Sequence, residues 1–166
     1  MNITFQYTPG ILQAAHELHY KKFFRFQSRL PVFLGVLAVW SGLLLFLILG
    51  KEGNKLLSIS LIILGAGSIL TYYVIMRTLG KRVYNRLTDY HDPFIIEIED
   101  DHILLKIKDS TFEMPWQEIK KAVITSEIVL LYPTDRMFYI FPKNNFMESE
   151  FEGFKMLVTE KVSSVF

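Results

Sequence analysis

Residues 30–50 read LPVFLGVLAVWSGLLLFLILG, and residues 56–76 read LLSISLIILGAGSILTYYVIM. Neither run contains a charged residue, and each is long enough as an α-helix to cross a hydrocarbon core ~30 Å thick. The five residues between them, 51–55, read KEGNK, which is typical of a short polar turn. The sequence therefore predicts a transmembrane helical hairpin with spans at residues 30–50 and 56–76.

Basic residues flank this hairpin more densely than they occur in its turn. Four precede the first span and four follow the second, whereas the turn has only two, Lys51 and Lys55. The flanking residues are Lys21, Lys22, Arg25, Arg29, Arg77, Lys81, Arg82 and Arg86. Because Lys and Arg near spans are enriched on the cytoplasmic side, we predict a multi-pass protein with both termini in the cytoplasm.

Charge is distributed unevenly between the two halves of the chain. Residues 1–93 have ten Lys and Arg against four acids, whereas residues 94–166 have eight against thirteen. This acidic C-terminal part argues against a nucleic-acid partner, because nucleic-acid binding needs a cationic surface that displaces counterions. The chain has no cysteine, which excludes disulfides and zinc–thiolate sites.

The residues before the first span contain a strand pattern and a helix pattern. Residues 2–7 (NITFQY) have apolar side chains at alternate positions, as in a half-buried strand. Because a lone strand cannot satisfy its backbone groups, we predict that it joins the C-terminal sheet. Thr8 and Pro9 are typical of an N-cap and a first helical position, and they predict a helix over 9–27. Its end, YKKFFRF at 20–26, suits either a helix at lipid headgroups or an ordinary amphipathic helix.

Short alternating strands separated by tight turns follow the basic stretch, and they predict an antiparallel meander. The strands are predicted at 94–99, 103–108, 111–116, 122–126, 128–132 and 136–141. A C-terminal helix is predicted from about Asn145, because Asn145 and Glu148 have the spacing of a capping box. The predicted fold class is α+β, a two-helix transmembrane hairpin plus a small antiparallel-sheet domain with a C-terminal helix.

Four parts of the chain follow from these patterns. Residues 1–29 are the N-terminal strand and amphipathic helix, and residues 30–76 are the transmembrane hairpin. Residues 77–93 are a basic juxtamembrane segment, and residues 94–166 are a cytosolic sheet domain.

Small residues form a stripe along each predicted span, and such residues let helix backbones approach closely in lipid. They are Gly35, Ala38 and Gly42 in the first span, and Ser58, Ser60, Gly65 and Gly67 in the second. The stripes predict packing of the hairpin's own two helices. The alternative is a homodimer through a small face that this packing leaves uncovered.

Several short motifs resemble those of one known family. The C-terminal part contains PWQEI at 115–119, LLY at 130–132 and FPK at 141–143, followed by Phe146. Together with the N-terminal strand and helix and the two close spans, this pattern resembles the YcxB-like bacterial membrane proteins. The resemblance covers nearly the whole chain through loose motifs. It implies a protein of the bacterial inner membrane with a cytosolic, pleckstrin-homology-like C-terminal domain, and it implies no reaction.

No catalytic signature is present in the sequence. His16 and His19 are one residue short of the zinc-protease spacing. The aspartates beside His91 and His102 lie in turns, where aspartate is common for backbone reasons. The predicted spans contain no ionisable residue, which argues against a proton relay or an ion site. We therefore predict that the protein is not an enzyme and has no metal and no cofactor.

Four residues of the C-terminal part are predicted as partner or lipid contacts. Trp116 either anchors a partner or fills the seam between the sheet and the C-terminal helix. Lys143, with Lys120 and Lys121, forms either a small cationic patch for lipid phosphates or an ordinary solvated surface.

Taken together, the patterns predict a membrane-tethered cytosolic module that binds a protein partner at the membrane. The partner would use a sheet edge or the groove beside the C-terminal helix. Two alternatives remain open: a domain that senses lipid headgroups, and a membrane-bound immunity protein that neutralises a toxin.

Overall fold

The computed structural model describes residues 1–49, 55–135 and 137–166. It divides into two units, the helical unit of residues 16–79 and the sheet unit of residues 1–15 and 80–166. The fold is mixed α+β, as predicted, with two long apolar helices, a four-stranded and a three-stranded antiparallel sheet, and a C-terminal helix. These bounds differ from the four predicted parts, since the first fifteen residues group with the C-terminal part.

Helix α1 (Pro9–Phe23) starts where the sequence predicts. Thr8 caps it, because the Thr8 Oγ1 atom accepts a hydrogen bond from the Ile11 N–H at 3.2 Å. The helix ends at Phe23, four residues before the predicted end at Gln27, and the chain becomes helical again at Arg25.

Helices α2 (Arg25–Leu49) and α3 (Lys55–Arg86) are long and apolar enough to span a membrane. Both extend beyond the predicted spans. Pro31 lies early in α2 and removes only one backbone hydrogen bond there, so it does not mark the helix start. Residues 77–86 contain no proline, and nothing in them ends α3. Of the predicted turn at 51–55, only the last residue belongs to the described part of the chain.

Small residues bring α2 and α3 close together within the helical unit. A Cβ atom added to Gly65 would lie 2.5 Å from the carbonyl oxygen of Gly35. One added to Gly42 would lie 2.8 Å from the carbonyl oxygen of Ser58. The stripes therefore pack the two helices against each other, which confirms that prediction. Gly67 differs, because a Cβ atom there would meet no atom within 4 Å, and the predicted homodimer would have to use small residues of this kind.

Sheet A of the sheet unit contains strands β1 to β4 in sequence order, and all its pairs are antiparallel. The strands are β1 (Asn2–Phe5), β2 (Phe94–Ile98), β3 (His102–Ile107) and β4 (Ser110–Pro115). Strand β1 pairs with β2, with Ile3 opposite Ile96, which confirms that the N-terminal strand joins the C-terminal sheet. The terminal amino group of Met1 extends the pairing by donating to the Ile98 carbonyl oxygen at 2.9 Å.

Sheet B is a separate three-stranded sheet, so the strands do not continue as one meander. It contains β5 (Lys121–Ile124), β6 (Ile128–Tyr132) and β7 (Tyr139–Pro142). The chain between β4 and β5 forms a 3₁₀ turn at Trp116–Glu118 instead of a tight hairpin, so β5 does not fold back beside β4. Strand β7 starts later than predicted, and residue 136 lies outside the described residues.

The C-terminal helix α4 (Glu148–Lys161) packs on sheet B, and the rings of Phe154 and Phe141 have centroids 5.0 Å apart. After the helix, the chain runs beside β5. The Ala122 N–H donates to the Ser164 carbonyl oxygen at 2.8 Å, and the Phe166 N–H donates to the Ala122 carbonyl oxygen at 3.0 Å. The C-terminal residues therefore cover the β5 edge of sheet B.

The predicted capping box at Asn145 and Glu148 is wrong. The N-cap of α4 is Met147, whose N–H donates to the carboxylate of Glu150 at 3.1 Å. The aromatic ring of Phe146 explains the shift, since it stacks on the Phe154 ring at a centroid distance of 5.3 Å. This contact favours an extended backbone at residue 146, which delays the start of the helix.

Gly65→Ala should destabilise the helical unit, because the added methyl group would overlap the Gly35 carbonyl oxygen and push α2 and α3 apart. We expect a loss of roughly 1–3 kcal/mol, as for other overpacked sites. Unfolding in mixed detergent micelles measures it. Gly67→Ala is the matched control, and it should be neutral or stabilising by up to about 1 kcal/mol. Equal stabilities of the two variants would contradict the close approach at Gly65.

Candidate interaction surface

Trp116 is a packed residue of the sheet unit, with only 3% of its surface exposed. Its indole N–H donates to the Glu99 carbonyl oxygen at 2.9 Å, and its backbone N–H donates to the Asp101 carbonyl oxygen at 3.2 Å. The residue thereby ties the turn between β2 and β3 to the end of β4. This position matches the structural interpretation of Trp116 rather than the interpretation as a surface anchor.

Trp116→Ala should cost roughly 3–5 kcal/mol of unfolding free energy, as for large aromatic truncations in cores. Trp116→Phe keeps an aromatic ring but leaves the Glu99 carbonyl oxygen without its indole donor. It should cost about 0.5–1.5 kcal/mol, the usual net contribution of a hydrogen bond, because the bond is only partly buried. Chemical unfolding of the detergent-solubilised protein measures both. If Trp116→Ala keeps its melting temperature but loses a bound partner, Trp116 is a recognition residue and the structural assignment fails.

The three predicted lysines do not lie in one place. Lys121 pairs with Tyr132 at one end of β6, and Lys120 precedes it. Lys143 follows the strand residue that pairs with Ile128, at the other end of β6. These two ends are separated by the length of β6, and that length is about 13 Å at the usual rise per strand residue. The structure therefore brings Lys120 and Lys121 together at one end of sheet B and places Lys143 at the other.

Two of the three lysines also have carboxylate partners. The Lys121 Nζ atom lies 2.8 Å from Asp135 Oδ1 and 5.4 Å from the centroid of the Tyr132 ring. The hydrogen bond from Lys121 holds the pKa of Asp135 below its usual range. The Lys143 Nζ atom lies 3.3 Å from Glu148 Oε1. These carboxylates neutralise the positive charge that would attract a lipid phosphate.

Strand β4 is an exposed edge of sheet A. Its residues 110–113 are all exposed, and Phe112 is 61% exposed despite its aromatic ring. In the register of the sheet, Phe112 lies opposite Leu105, which is buried. Paired side chains share a face, so the apolar face of sheet A continues onto β4 beyond the part that the protein covers.

Two residues of β4 direct their backbone groups outward. The hydrogen bond from the Trp116 N–H to the Asp101 carbonyl oxygen sets the phase of the ladder between β3 and β4. Because hydrogen-bonded and non-hydrogen-bonded pairs alternate, Phe112 bonds to β3. The N–H and C=O groups of Thr111 and Glu113 therefore point away from the sheet. An edge of this kind is a template for a strand from another chain.

Other segments form hydrogen bonds with both edges of sheet B, in contrast to the outer edge of β4. Residues 164–166 cover β5, and the Tyr7 hydroxyl donates to the Ile140 carbonyl oxygen on β7 at 3.2 Å. Burial raises the pKa of the Tyr7 phenol, so this donor stays protonated. Among the residues that the structure describes, no other segment forms a hydrogen bond with the outer edge of β4.

The groove beside α4 is the second predicted docking place. It has a volume of about 500 Å³ and is lined by Ile124, Glu152, Lys155, Met156, Thr159 and Glu160. Most of these side chains are polar, and the Lys155 Nζ atom pairs with Glu152 Oε1 at 2.7 Å. The groove offers less apolar surface to a partner than the β4 edge offers with Phe112.

One group of potential metal ligands occurs among the described residues, at Glu99, Asp101 and His102. The His102 Nδ1 atom lies 2.6 Å from Asp101 Oδ1, and its Nε2 atom lies 3.9 Å from Glu99 Oε2. The hydrogen bond between His102 and Asp101 raises the pKa of His102 and lowers that of Asp101. This pairing accounts for the cluster, which lies on a turn where acidic residues are common.

The other motifs considered from the sequence do not come together as sites in the described part of the chain. His19 is buried against neighbouring aromatic rings, and burial lowers the pKa of His16. Asp92 pairs with Lys108 at 2.7 Å, whereas His91 Nε2 lies 3.0 Å from a backbone oxygen.

The sequence reasoning missed Thr111, Phe112 and Glu113. Their segment has the same alternation of apolar and polar residues as the other predicted strands. Whether a strand lies at the edge of a sheet depends on which strands pair, and the pattern of a single segment does not record that. One local signal was available, since Pro115 ends the segment and proline is found mainly at strand ends, bulges and sheet edges.

Comparison with known proteins gives one match. Residues 98–158, from the end of β2 into α4, match the family model described as YcxB-like protein. The resemblance predicted from the sequence is thereby confirmed for this segment. No curated protein and no solved structure matches the chain.

Proposed function

We propose that the chain carrying this YcxB-like domain is a membrane-tethered module that binds a protein partner at the β4 edge. Helices α2 and α3 would anchor it in the bacterial inner membrane. The sheet unit would face the cytoplasm as a pleckstrin-homology-like domain. Its two antiparallel sheets and C-terminal helix are consistent with that description.

The exposure of the two long helices supports membrane anchoring. In their most apolar stretches, only 11% of the residues of α2 and 6% of those of α3 are buried. A core helix of a water-soluble protein would hide such a surface, because exposed apolar area is costly in water. The apolar side chains point outward over most of both helices, which is the arrangement that a lipid environment stabilises.

A topology test checks the anchoring and the orientation. Four basic residues flank each outer end of the hairpin, so both termini should be cytoplasmic. A reporter that needs the cytosol should be active at Phe166, and a reporter that needs the outside should be active at Asn54. The reverse pattern would overturn the cytoplasmic assignment of the sheet unit.

The open edge at β4 is the observation that supports protein binding. A strand from a partner can pair with the outward N–H and C=O groups of Thr111 and Glu113, while an apolar side chain of that strand packs on Phe112. Main-chain hydrogen bonds then give affinity and the alternating side chains give specificity. The proposed partner is therefore a protein with an extended segment in which apolar and polar residues alternate.

Lipid sensing by the sheet unit has weaker support. Residues 94–166 carry thirteen acids against eight bases, and anionic headgroups repel an acidic surface. Lys143 lies at the other end of sheet B from Lys120 and Lys121, and two of the three are paired with carboxylates. An immunity role would also need a bound protein, and the toxin would then be the partner at β4.

Thr111→Pro should abolish partner binding without disturbing the fold. Proline removes an N–H that points away from the sheet, and edge strands tolerate such a change. Thr111→Val is the matched control, because it keeps the N–H and the branched side-chain shape. The measurement is photo-crosslinking in membranes from a reactive residue placed at position 113 of the full chain. Adducts should disappear with Thr111→Pro and persist with Thr111→Val.

Two results of that experiment would contradict the proposal. Equal adducts in the two variants would show that backbone pairing at β4 is not used. Complete absence of adducts from position 113, with adducts from a reactive residue at position 156, would move the interface to the groove beside α4.

A further inference from the structure

Two adjoining pockets on the helical unit share the side chains of Arg25 and Arg29. The larger has a volume of about 340 Å³ and, besides the arginines, is lined by Phe26, Leu30 and Phe33. The smaller has a volume of about 160 Å³, and polar and apolar atoms contribute comparable shares of its lining. Its other lining residues are Glu17, Tyr20, Lys21, Ser28, Tyr72 and Met76. An apolar pocket and a pocket of mixed polarity therefore share Arg25 and Arg29 as lining residues.

The spacing of the arginines places them on one face of α2. Residues four apart on an α-helix are neighbours on its surface, and Arg25 and Arg29 line both pockets. Within the described residues, neither guanidinium forms an ion pair with a carboxylate. The lysines of the sheet unit differ in this respect, since Lys121 and Lys143 have acidic partners.

The site also lies at the level where headgroups would meet it. Arg25 and Arg29 immediately precede the uncharged run that begins at Leu30. Under the anchoring proposed above, this part of α2 lies at the cytoplasmic boundary of the hydrocarbon core. Phe26 is 81% exposed and Phe33 is 60% exposed, so the apolar pocket opens towards the lipid.

We propose that the two pockets together bind one anionic phospholipid of the bilayer. Its phosphodiester group accepts hydrogen bonds from Arg25 and Arg29, which suit phosphate because a guanidinium donates two parallel N–H groups. The rest of the headgroup occupies the smaller pocket of mixed polarity beside Tyr20, Lys21 and Ser28. The first part of an acyl chain lies along Phe26, Leu30 and Phe33.

The inference rests on the proposed membrane anchoring and is independent of the partner site at β4. It also predicts discrimination between lipids. The lining of the smaller pocket carries three cations, Lys21, Arg25 and Arg29, against one carboxylate, Glu17. A zwitterionic phospholipid presents the same phosphate, but its cationic headgroup would meet this net positive charge and be repelled. An anionic headgroup, such as that of phosphatidylglycerol, has no such charge.

The test measures lipid binding to the detergent-solubilised full chain by native mass spectrometry. Phosphatidylglycerol should bind to the unaltered protein, and phosphatidylcholine of the same chain length should bind at least about tenfold more weakly. The double variant Arg25→Gln/Arg29→Gln should lose about tenfold or more in affinity for phosphatidylglycerol, as expected when charge-assisted hydrogen bonds are removed. The Arg25→Lys/Arg29→Lys variant keeps the positive charges but loses the planar guanidinium groups. Its affinity for phosphatidylglycerol should lie between those of the unaltered protein and the Gln variant.

Arg77→Gln/Arg82→Gln is the matched control, because it removes the same charge from the other basic flank. It should leave phosphatidylglycerol binding unchanged. An equal loss of affinity in this control would show that the basic flanks attract anionic lipid in general. That result would overturn the proposed site. Inorganic phosphate that competes at the same concentration as the lipid would overturn the role of the apolar pocket.

Alkaline extraction of membranes separates this inference from the proposed anchoring. The Arg25→Gln/Arg29→Gln variant should remain in the membrane pellet and melt like the unaltered protein in lipid-free detergent. Release of the unaltered protein by alkali would refute the anchoring itself. If the protein stays in the pellet but the Arg25→Gln/Arg29→Gln variant binds lipid as well as the unaltered protein, only the lipid site is refuted.

Discussion

The pairing of β1 with β2 constrains the whole chain. These strands are neighbours in one sheet, with Ile3 opposite Ile96, yet all of α1, α2 and α3 lie between them in sequence. A chain that leaves the sheet at Phe5 must return to it at Phe94. If α2 and α3 cross a bilayer, as we propose, only an even number of crossings returns the chain to the side that it left. The strand pairing and the positive flanks thus support the same topology by independent physical routes, one from backbone hydrogen bonding and the other from charge.

Strand β1 covers the edge that β2 would otherwise present, which leaves β1 and β4 as the two outer strands of sheet A. The N-terminal strand satisfies the outer backbone groups of β2, and the C-terminal residues satisfy those of β5. Both chain ends are therefore used to cover edges. Strand β4 has no such cover among the described residues, and its Phe112 side chain remains exposed. The β4 edge differs from the β1 edge because Ile3 and Phe5 on β1 are buried, whereas Phe112 leaves part of the apolar face exposed. A bare edge with such a side chain favours pairing with another chain.

Much of this fold could be predicted from the sequence because its signals are local. The two apolar runs and the alternating strands reflect burial, which each segment records in its own pattern. The packing of α2 on α3 through small residues was also predicted, since small residues at helical spacing are a local signal, whereas the approach of Gly65 to Gly35 is seen only in the structure. Features that depend on distant segments were missed. The start of α4 depends on the packing of Phe146 against Phe154, and the division into two sheets depends on the turn at Trp116. The exposure of Phe112 could not be predicted from its own segment, because it depends on how distant segments pack around β4.

Several lysines of the sheet unit and the two arginines at the start of α2 differ in their partners. In the sheet unit, Lys106, Lys121 and Lys143 each have a carboxylate partner within the protein. Exposed ion pairs of this kind contribute little to stability. They do neutralise lysine charges that would otherwise attract lipid phosphates. Arg25 and Arg29 have no such partner in the described chain, and they lie beside aromatic rings. Under the two proposals, the paired charges would leave the sheet unit to a protein partner, and the arginines at the start of α2 would bind a lipid. The chain would then hold both ligands at once, because the residues that would bind them belong to different units.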